Sequence, residues 1–415
     1  MRELKALELA ARSRIVHDGK AWIVPSQSSS DKYRVVLDDN SNCTCPDFEL
    51  RQKPCKHIIA ARLVCARDHG GKEPEMVVDK VPKRPTYKQN WGKYNLAQET
   101  EKDRFQALLF DLCRGVKEPE RKSNLCGRKP TPLADQVFAS AFKIYSTVSA
   151  RRFGCDFEDA KAKGYVASVE NPRSVCLFLE NAVLTSVLKN LIIRSSLPLK
   201  EIETVFAPDS TGFSTRRFIR WFDEKYGAER SGHAWVKAHA ICGVKTNIVT
   251  AVEIEGQHAG DCPQFKPLVE TTAQNFKVDD VAADKAYLSR ENLELVEKKG
   301  GTSFIPFKDN CVPGEPGSLW ERMFFFYNFK REEFLKRYHQ RSNIESTFSM
   351  VKAKFLDHVR SKTDVAMKNE VLCKFLCHNI VIIHQSMIEL GIEGIFWPES
   401  TKSEDPVVGG HPVPG

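Results

Sequence analysis

The chain has 415 residues, 41% hydrophobic and 28% charged, and carries a formal charge of +8. This is the composition of a soluble globular protein with material for two or three domains, and its mild basicity permits a polyanionic partner without demanding one. No stretch approaches the roughly 20 apolar residues of a membrane span, and the N-terminus MRELKALELAARSR has no secretion-signal core, so a cytoplasmic protein with access to the chromosome and no membrane partner is expected.

Residues 1–66 read as a small module. Ala21-Trp22-Ile23-Val24 and Tyr33-Arg34-Val35-Val36-Leu37 are short β runs around a turn containing Ser28-Ser29-Ser30, and a short helix over His57–Ala66 follows. There are 13 Cys, an odd number, and most stand singly in apolar stretches, as Cys113, Cys176 and Cys242 do. In a reducing compartment such residues are core thiols or metal ligands rather than disulfides. One group has metal spacing: Cys43-x-Cys45, a gap, then Cys55-x-His57. Structural zinc takes four such ligands in a tetrahedron, and a module this small has too little core to fold firmly without it. The pattern resembles the SWIM zinc finger. DNA is the first expectation for its partner, and a protein contact the rival.

Residues 67–95 have the composition of a linker. Lys80, Lys83, Arg84, Lys88 and Lys93 alternate there with Tyr87 and Trp91, a texture that can track a nucleic-acid backbone but suits a solvated linker better. Residues 96–200 are helical in pattern and could hold a helix-turn-helix. Phe105, Leu108, Leu109 and Leu112 follow helical spacing, as do Val137, Ala141, Ile144 and Val148, and Val175–Leu197 reads as one strong helix stopped by Pro198.

From residue 201 to 392 the pattern is α/β. Thr204–Ala207 is a β run leading to Asp209. Trp235–Val244 and Asn247–Glu255 form a hairpin about Gly243–Thr246, and Cys262–Phe276 is helical. Val278–Ala283 leads as a strand into Asp284, Arg290–Lys299 is a helix, Thr302–Phe307 a strand, and residues 318–355 a long helical segment. A further helix covers 364–391, in which Cys373, Cys377 and His378 read as core, and a disordered tail occupies 393–415. This order predicts a mixed sheet flanked by helices.

Asp209 and Asp284 each follow an apolar, strand-like run, where sites in open α/β sheets gather, although either alone reads as a cap or turn residue. Tyr338, Arg341, Glu345 and Lys352 are separated by steps of 3, 4 and 7. On one helix they fall within about 60° of each other, beside an apolar stripe of Ile344, Phe348, Val351 and Phe355. A plain surface ladder of charges explains the cations but not the tyrosine.

This spacing resembles the signature of insertion-sequence DDE transposases of the tyrosine–arginine–glutamate–lysine type, and APDSTGFS and VAADKAYLS look like that family's two aspartate motifs. The resemblance covers roughly 134–390. It implies a ribonuclease H-like fold in which Asp209, Asp284 and Glu345 meet as ligands of two Mg²⁺ (or Mn²⁺) ions, with Tyr338, Arg341 and Lys352 on DNA phosphates near the cut. Two such cations can activate water and hold the leaving oxygen, and hard oxygen ligands suit them. Without metal the carboxylates should stand loosely and at least one pKa should rise. The implied activity is cleavage of element ends and joining of the 3′-OH to target DNA. The implied partner is double-stranded DNA, bound by a dimer that pairs two ends. His258 and Asp261 read as a helix cap and its neighbour. The competing readings are a related metal-dependent nuclease or domesticated copy, and a non-catalytic zinc-containing DNA-binding regulator.

Overall fold

The computed structural model describes residues 2–27, 31–38, 41–71, 90–118, 130–169, 171–215, 235–256 and 258–397. The turn at Ser28–Ser30, the basic residues Lys80–Lys88 and the tail beyond 397 lie outside these. The chain divides into two compact units, Met1–Lys88 and Gln89–Gly415.

In the first unit, helix α1 (Arg2–Arg12) precedes an antiparallel sheet of β1 (Val16–His17), β2 (Trp22–Pro25), β3 (Lys32–Val36) and β4 (Asn42–Cys43). Helices α2 (Pro46–Arg51) and α3 (Lys56–His69) follow, and α3 stops at Gly70, whose φ of 60° suits glycine. Trp22 and Val24 alternate inward from β2 and meet Ala6, Leu9, Val35, Ile58 and Val64. This core is small, as expected of so short a chain, and three cysteines and a histidine complete it.

The second unit begins with α4 (Trp91–Cys113), α5 (Leu133–Ser146), α6 (Ala150–Ala162), α7 (Pro172–Phe178) and α8 (Val183–Ser196). Trp91 and Lys93, expected in a linker, are thus helical. The helix expected over Val175–Leu197 is two. Between them the carbonyls of Leu179 and Asn181 accept hydrogen bonds from the Asn369 amide at 2.8 and 3.1 Å, so a buried side chain replaces the missing helical donors.

Strands β5 (Val205–Ser214), β6 (Trp235–Gly243) and β7 (Val249–Glu255) are antiparallel neighbours, and β8 (Asp280–Ala282) and β9 (Thr302–Phe304) add in parallel, giving the order β7-β6-β5-β8-β9. Helix α9 (Cys262–Ala273) connects β7 to β8, and α10 (Arg290–Lys298) makes the parallel crossover from β8 to β9. The chain ends in α11 (Leu319–Phe329), α12 (Arg331–Tyr338), α13 (Ser342–Phe355) and α14 (Asp364–Leu390). This is the ribonuclease H-like mixed sheet flanked by helices.

The sheet separates two cores. Ala207, Phe213, Ala238 and Ala240 face one that includes residues of α4, α5, α8, α13 and α14, so the helices before residue 200 share the core of the sheet. Phe206, Ile241 and Ala251 face the other, with Phe265, Leu293 and Phe334. Opposite Ile241/Cys242 a register shift changes the parity of β7, so Val249 and Val252 face the first core and Ala251 the second. Glu203, fully buried, accepts hydrogen bonds from Lys245 and Thr246 and fixes the β6–β7 turn.

Helix α14 is long and apolar enough to pass for a membrane span by composition, which the sequence reading did not expect. Of its most apolar window, 78% is buried inside the unit, and the same helix also buries Glu370 and Lys374, as the central helix of a packed core does. Lys374 donates to the carbonyls of Leu356 and His358, tying the segment after α13 to α14.

Candidate active site and zinc cluster

The acidic site is assembled from three places. Asp209 lies in the middle of β5, paired with Ala240 of β6, and not at a strand end as the sequence suggested. The polar residues Ser210, Thr211 and Ser214 disguise a strand that continues because β6 is there to pair with it. Asp284 stands two residues beyond β8, where its Oδ1 accepts the Lys285 N–H at 2.6 Å and caps a single 3-10 turn, Lys285–Tyr287. Glu345 lies in the first turn of α13.

The segment expected as one helix over 318–355 is interrupted twice. Lys330 leaves helical geometry at φ −118° and ψ 46°, and His339–Arg341 form a 3-10 turn. Tyr338 therefore ends α12, Arg341 closes the turn, and Glu345 and Lys352 belong to α13, so the four do not share one continuous helix face. The tighter turn changes the angle between Tyr338 and Glu345. The apolar stripe is as expected: Ile344, Phe348, Val351 and Phe355 are buried. It lays α13 on the sheet with Glu345 at its edge.

Arg341 brings two of the acids together. Its Nη1 donates to Asp209 Oδ2 at 2.9 Å and its Nη2 to Glu345 Oε1 at 2.8 Å. The other oxygen of Asp209 accepts the Ser210 N–H at 2.8 Å. Burial raises the Asp209 pKa most. The Ser210 N–H and Arg341 lower it, and the nearby charges of Asp284 and Glu345 raise it again. The expected rise is present, but desolvation leads it rather than mutual repulsion. The charges of Asp284 and Glu345 both act on Asp209, while among the described residues the three carboxylates do not form one compact ligand group.

Lys352 is half-buried on α13 with its Nζ 5.5 Å from the Phe213 ring centre, and burial lowers its pKa. Phe213 shares a strand face with Asp209 four residues on, about 13 Å along β5, so Lys352 stands beside the acids and does not touch them. Tyr338 is half-buried against the second core.

Three residues near this site escaped the sequence reading. Tyr287 is buried with its Oη lacking a hydrogen-bond partner among the described residues. Burial raises its pKa, and the charges of Asp209, Asp261 and Asp284 add to this, which places the phenol among the acids. Its position at the end of the 3-10 turn after Asp284 was the available signal. Lys237 and His239, on the opposite face of β6 from Ala238 and Ala240, approach Asp261 Oδ1 at 2.8 and 3.5 Å. Asp261 stands at the head of α9, but its side chain makes no cap hydrogen bond. It is bound to the sheet instead, and His258 is exposed.

The second candidate site is local. Cys43 ends β4, Cys45 and Cys55 precede α2 and α3, and His57 sits in the first turn of α3. Their ligand atoms all lie within 4.8 Å of one another and all four residues are buried. His57 Nδ1 is 4.0 Å from Cys43 Sγ and 3.9 Å from Cys55 Sγ, so Nδ1 is the nitrogen aimed at the thiols. Hydrogen bonding with Cys43 pulls the Cys55 thiol down to about 3 and pushes that of Cys43 up. Three thiols and an imidazole at this spacing fit a tetrahedral zinc ion.

Residues 200–380 match the family model for the transposase DDE domain, and residues 33–65 that for the SWIM zinc finger. No curated protein matches the chain. Among solved structures, the cryo-EM structure of piggyBac transposase synaptic complex with hairpin DNA is similar at 11% identity and a TM-score of 0.35, covering 68% of this chain and 75% of that one.

Proposed function

We propose that this chain, a transposase DDE domain preceded by a SWIM zinc finger, is a DNA transposase that cleaves element ends and joins the freed 3′-OH to target DNA by two-metal-ion phosphoryl transfer. The observation that carries the reading is the joining of Asp209 and Glu345 through Arg341, with the charge of Asp284 acting on Asp209 and on Arg341; it supports one site shared by three acids from distant segments. The zinc finger and the basic linker alone would suit a regulator, but a regulator has no use for this convergence.

Asp209, Asp284 and Glu345 would hold two Mg²⁺ or Mn²⁺ ions, which when bound supply Lewis-acid polarisation at the phosphate and at the attacking and leaving oxygens. Asp209 is fixed by strand pairing and by the Ser210 N–H, so its carboxylate is a rigid reference. Glu345 is held at one oxygen and is 60% exposed, so it can adjust to a bound phosphate. Arg341 offers a planar fork to phosphate, Lys352 a point charge further along the DNA, and Tyr338 a phenol. Cys43, Cys45, Cys55 and His57 would hold a structural zinc, and the finger would bind DNA at the element ends. Pairing of two ends calls for a dimer on chromosomal DNA.

Supercoiled DNA carrying candidate ends, incubated with Mg²⁺ or Mn²⁺, tests this. The wild-type chain should cut and join, and Asp284→Ala should bind the DNA but do neither. Cutting without joining would make the chain a nuclease, and binding without cutting in both proteins a regulator.

A further inference from the structure

We infer that Arg341 is a built-in counter-cation of the acidic site, which competes with divalent metal for Asp209 and Glu345 and yields its hold on them when metal enters. The inference rests on the proposed metal-binding role of those acids. An Arg–Glu pair four residues apart on a helix is commonplace and contributes little. The second arm of Arg341 is different, because it crosses 132 residues of sequence to Asp209. The Arg341 and Asp209 side chains are only 19% and 22% exposed. A carboxylate so far withdrawn from water needs a cation or donors, and the guanidinium fork satisfies two at once.

Both oxygens of Asp209 are engaged, one by the Ser210 N–H and one by Arg341. A metal ion binding Asp209 must therefore displace Arg341 or share an oxygen with one of these two donors, and either way it meets the positive guanidinium at close range. One guanidinium against three carboxylates leaves the site negative, so it still attracts a divalent cation. The 3-10 turn carrying Arg341 joins two helices, and such a junction can shift the side chain without unfolding either. Once displaced, the same guanidinium stands beside the acids with its donors free for a phosphate. Metal-free protein thus keeps Asp209 and Glu345 paired, and the phosphate-binding arm becomes available only as metal loads.

The test is Mn²⁺ binding to the full-length, zinc-loaded chain, measured by electron paramagnetic resonance of free Mn²⁺ without DNA. Arg341→Gln keeps donors but removes the charge, and it should bind Mn²⁺ about tenfold more tightly, as expected when a cation a few Å away is lost from a partly screened site. Arg341→Lys, which retains the charge but cannot span both acids, should fall between. Thermal unfolding without Mn²⁺ identifies any variant that fails to fold. Unchanged or weaker Mn²⁺ binding in folded Arg341→Gln overturns the inference. Asp284→Asn separates the two failures. If it abolishes Mn²⁺ binding while Arg341→Gln binds no tighter, only the counter-cation role falls. If it leaves Mn²⁺ binding intact, the metal site itself falls, and the inference with it.

Discussion

Replacing His378 with Gln should flatten the acid limb of the stability curve. His378 lies on α14, is 3% exposed, and its Nε2 is 2.9 Å from the Asn247 carbonyl in the β6–β7 turn. The neutral ring donates that hydrogen bond. Burial pushes the pKa of His378 from its ordinary 6.5 down to about 4, against a smaller upward pull from the Asn247 carbonyl. Between these values the unfolded chain binds a proton that the folded chain refuses. The stability contributed by the neutral ring is therefore complete above pH 6.5 and is lost as pH falls towards 4. At about 1.4 kcal/mol per pH unit the loss approaches about 3 kcal/mol. The junction matters to the site because Asn247 Oδ1 also accepts the hydroxyl of Thr347, at 3.2 Å, on the helix that presents Glu345. Urea unfolding of wild type and His378→Gln, followed on the transition of the Gln89–Gly415 unit between pH 4 and 7, gives the comparison. Wild type should lose about 3 kcal/mol relative to the variant across that range. Parallel curves would refute the buried, neutral imidazole and the anchoring drawn from it.

Two further outcomes follow from the same structure. Cys55→Ser should lower bound zinc from about one ion per chain to almost none by atomic absorption, and limited proteolysis should then cut within Met1–Lys88 while Gln89–Gly415 stays protected; retained zinc would disprove the four-ligand cluster. Ile344→Ala, at a fully buried position of α13, should cost about 2–5 kcal/mol in unfolding free energy; a loss below about 1 kcal/mol would mean that the stripe does not seat the helix.

Local spacing was enough for whatever depends on neighbours in sequence. The zinc-like cluster was legible because its four ligands fall within a few turns of chain, where two Cys-x-Cys/His pairs have few ways to point. The buried stripe of α13 was legible because helical periodicity sets which residues share a face. Asp209 was read at a strand end because the polar residues after it look like a turn. Only pairing with β6, across a stretch that includes residues 216–234, makes them strand. The break at Leu179–Ala182 was hidden for a related reason: the distant Asn369 satisfies carbonyls that a continuous helix would have used, whereas at His339–Arg341 the neighbouring Ser342 and Asn343 side chains donate to the His339 and Gln340 carbonyls. The arm from Arg341 to Asp209, the phenol of Tyr287 among the acids and the clasp of Asp261 by Lys237 and His239 join groups far apart in the chain. Hydrophobic pattern fixes which face of an element is buried, but which polar groups then meet is decided by how sheet and helices stack, and no spacing within one segment encodes that.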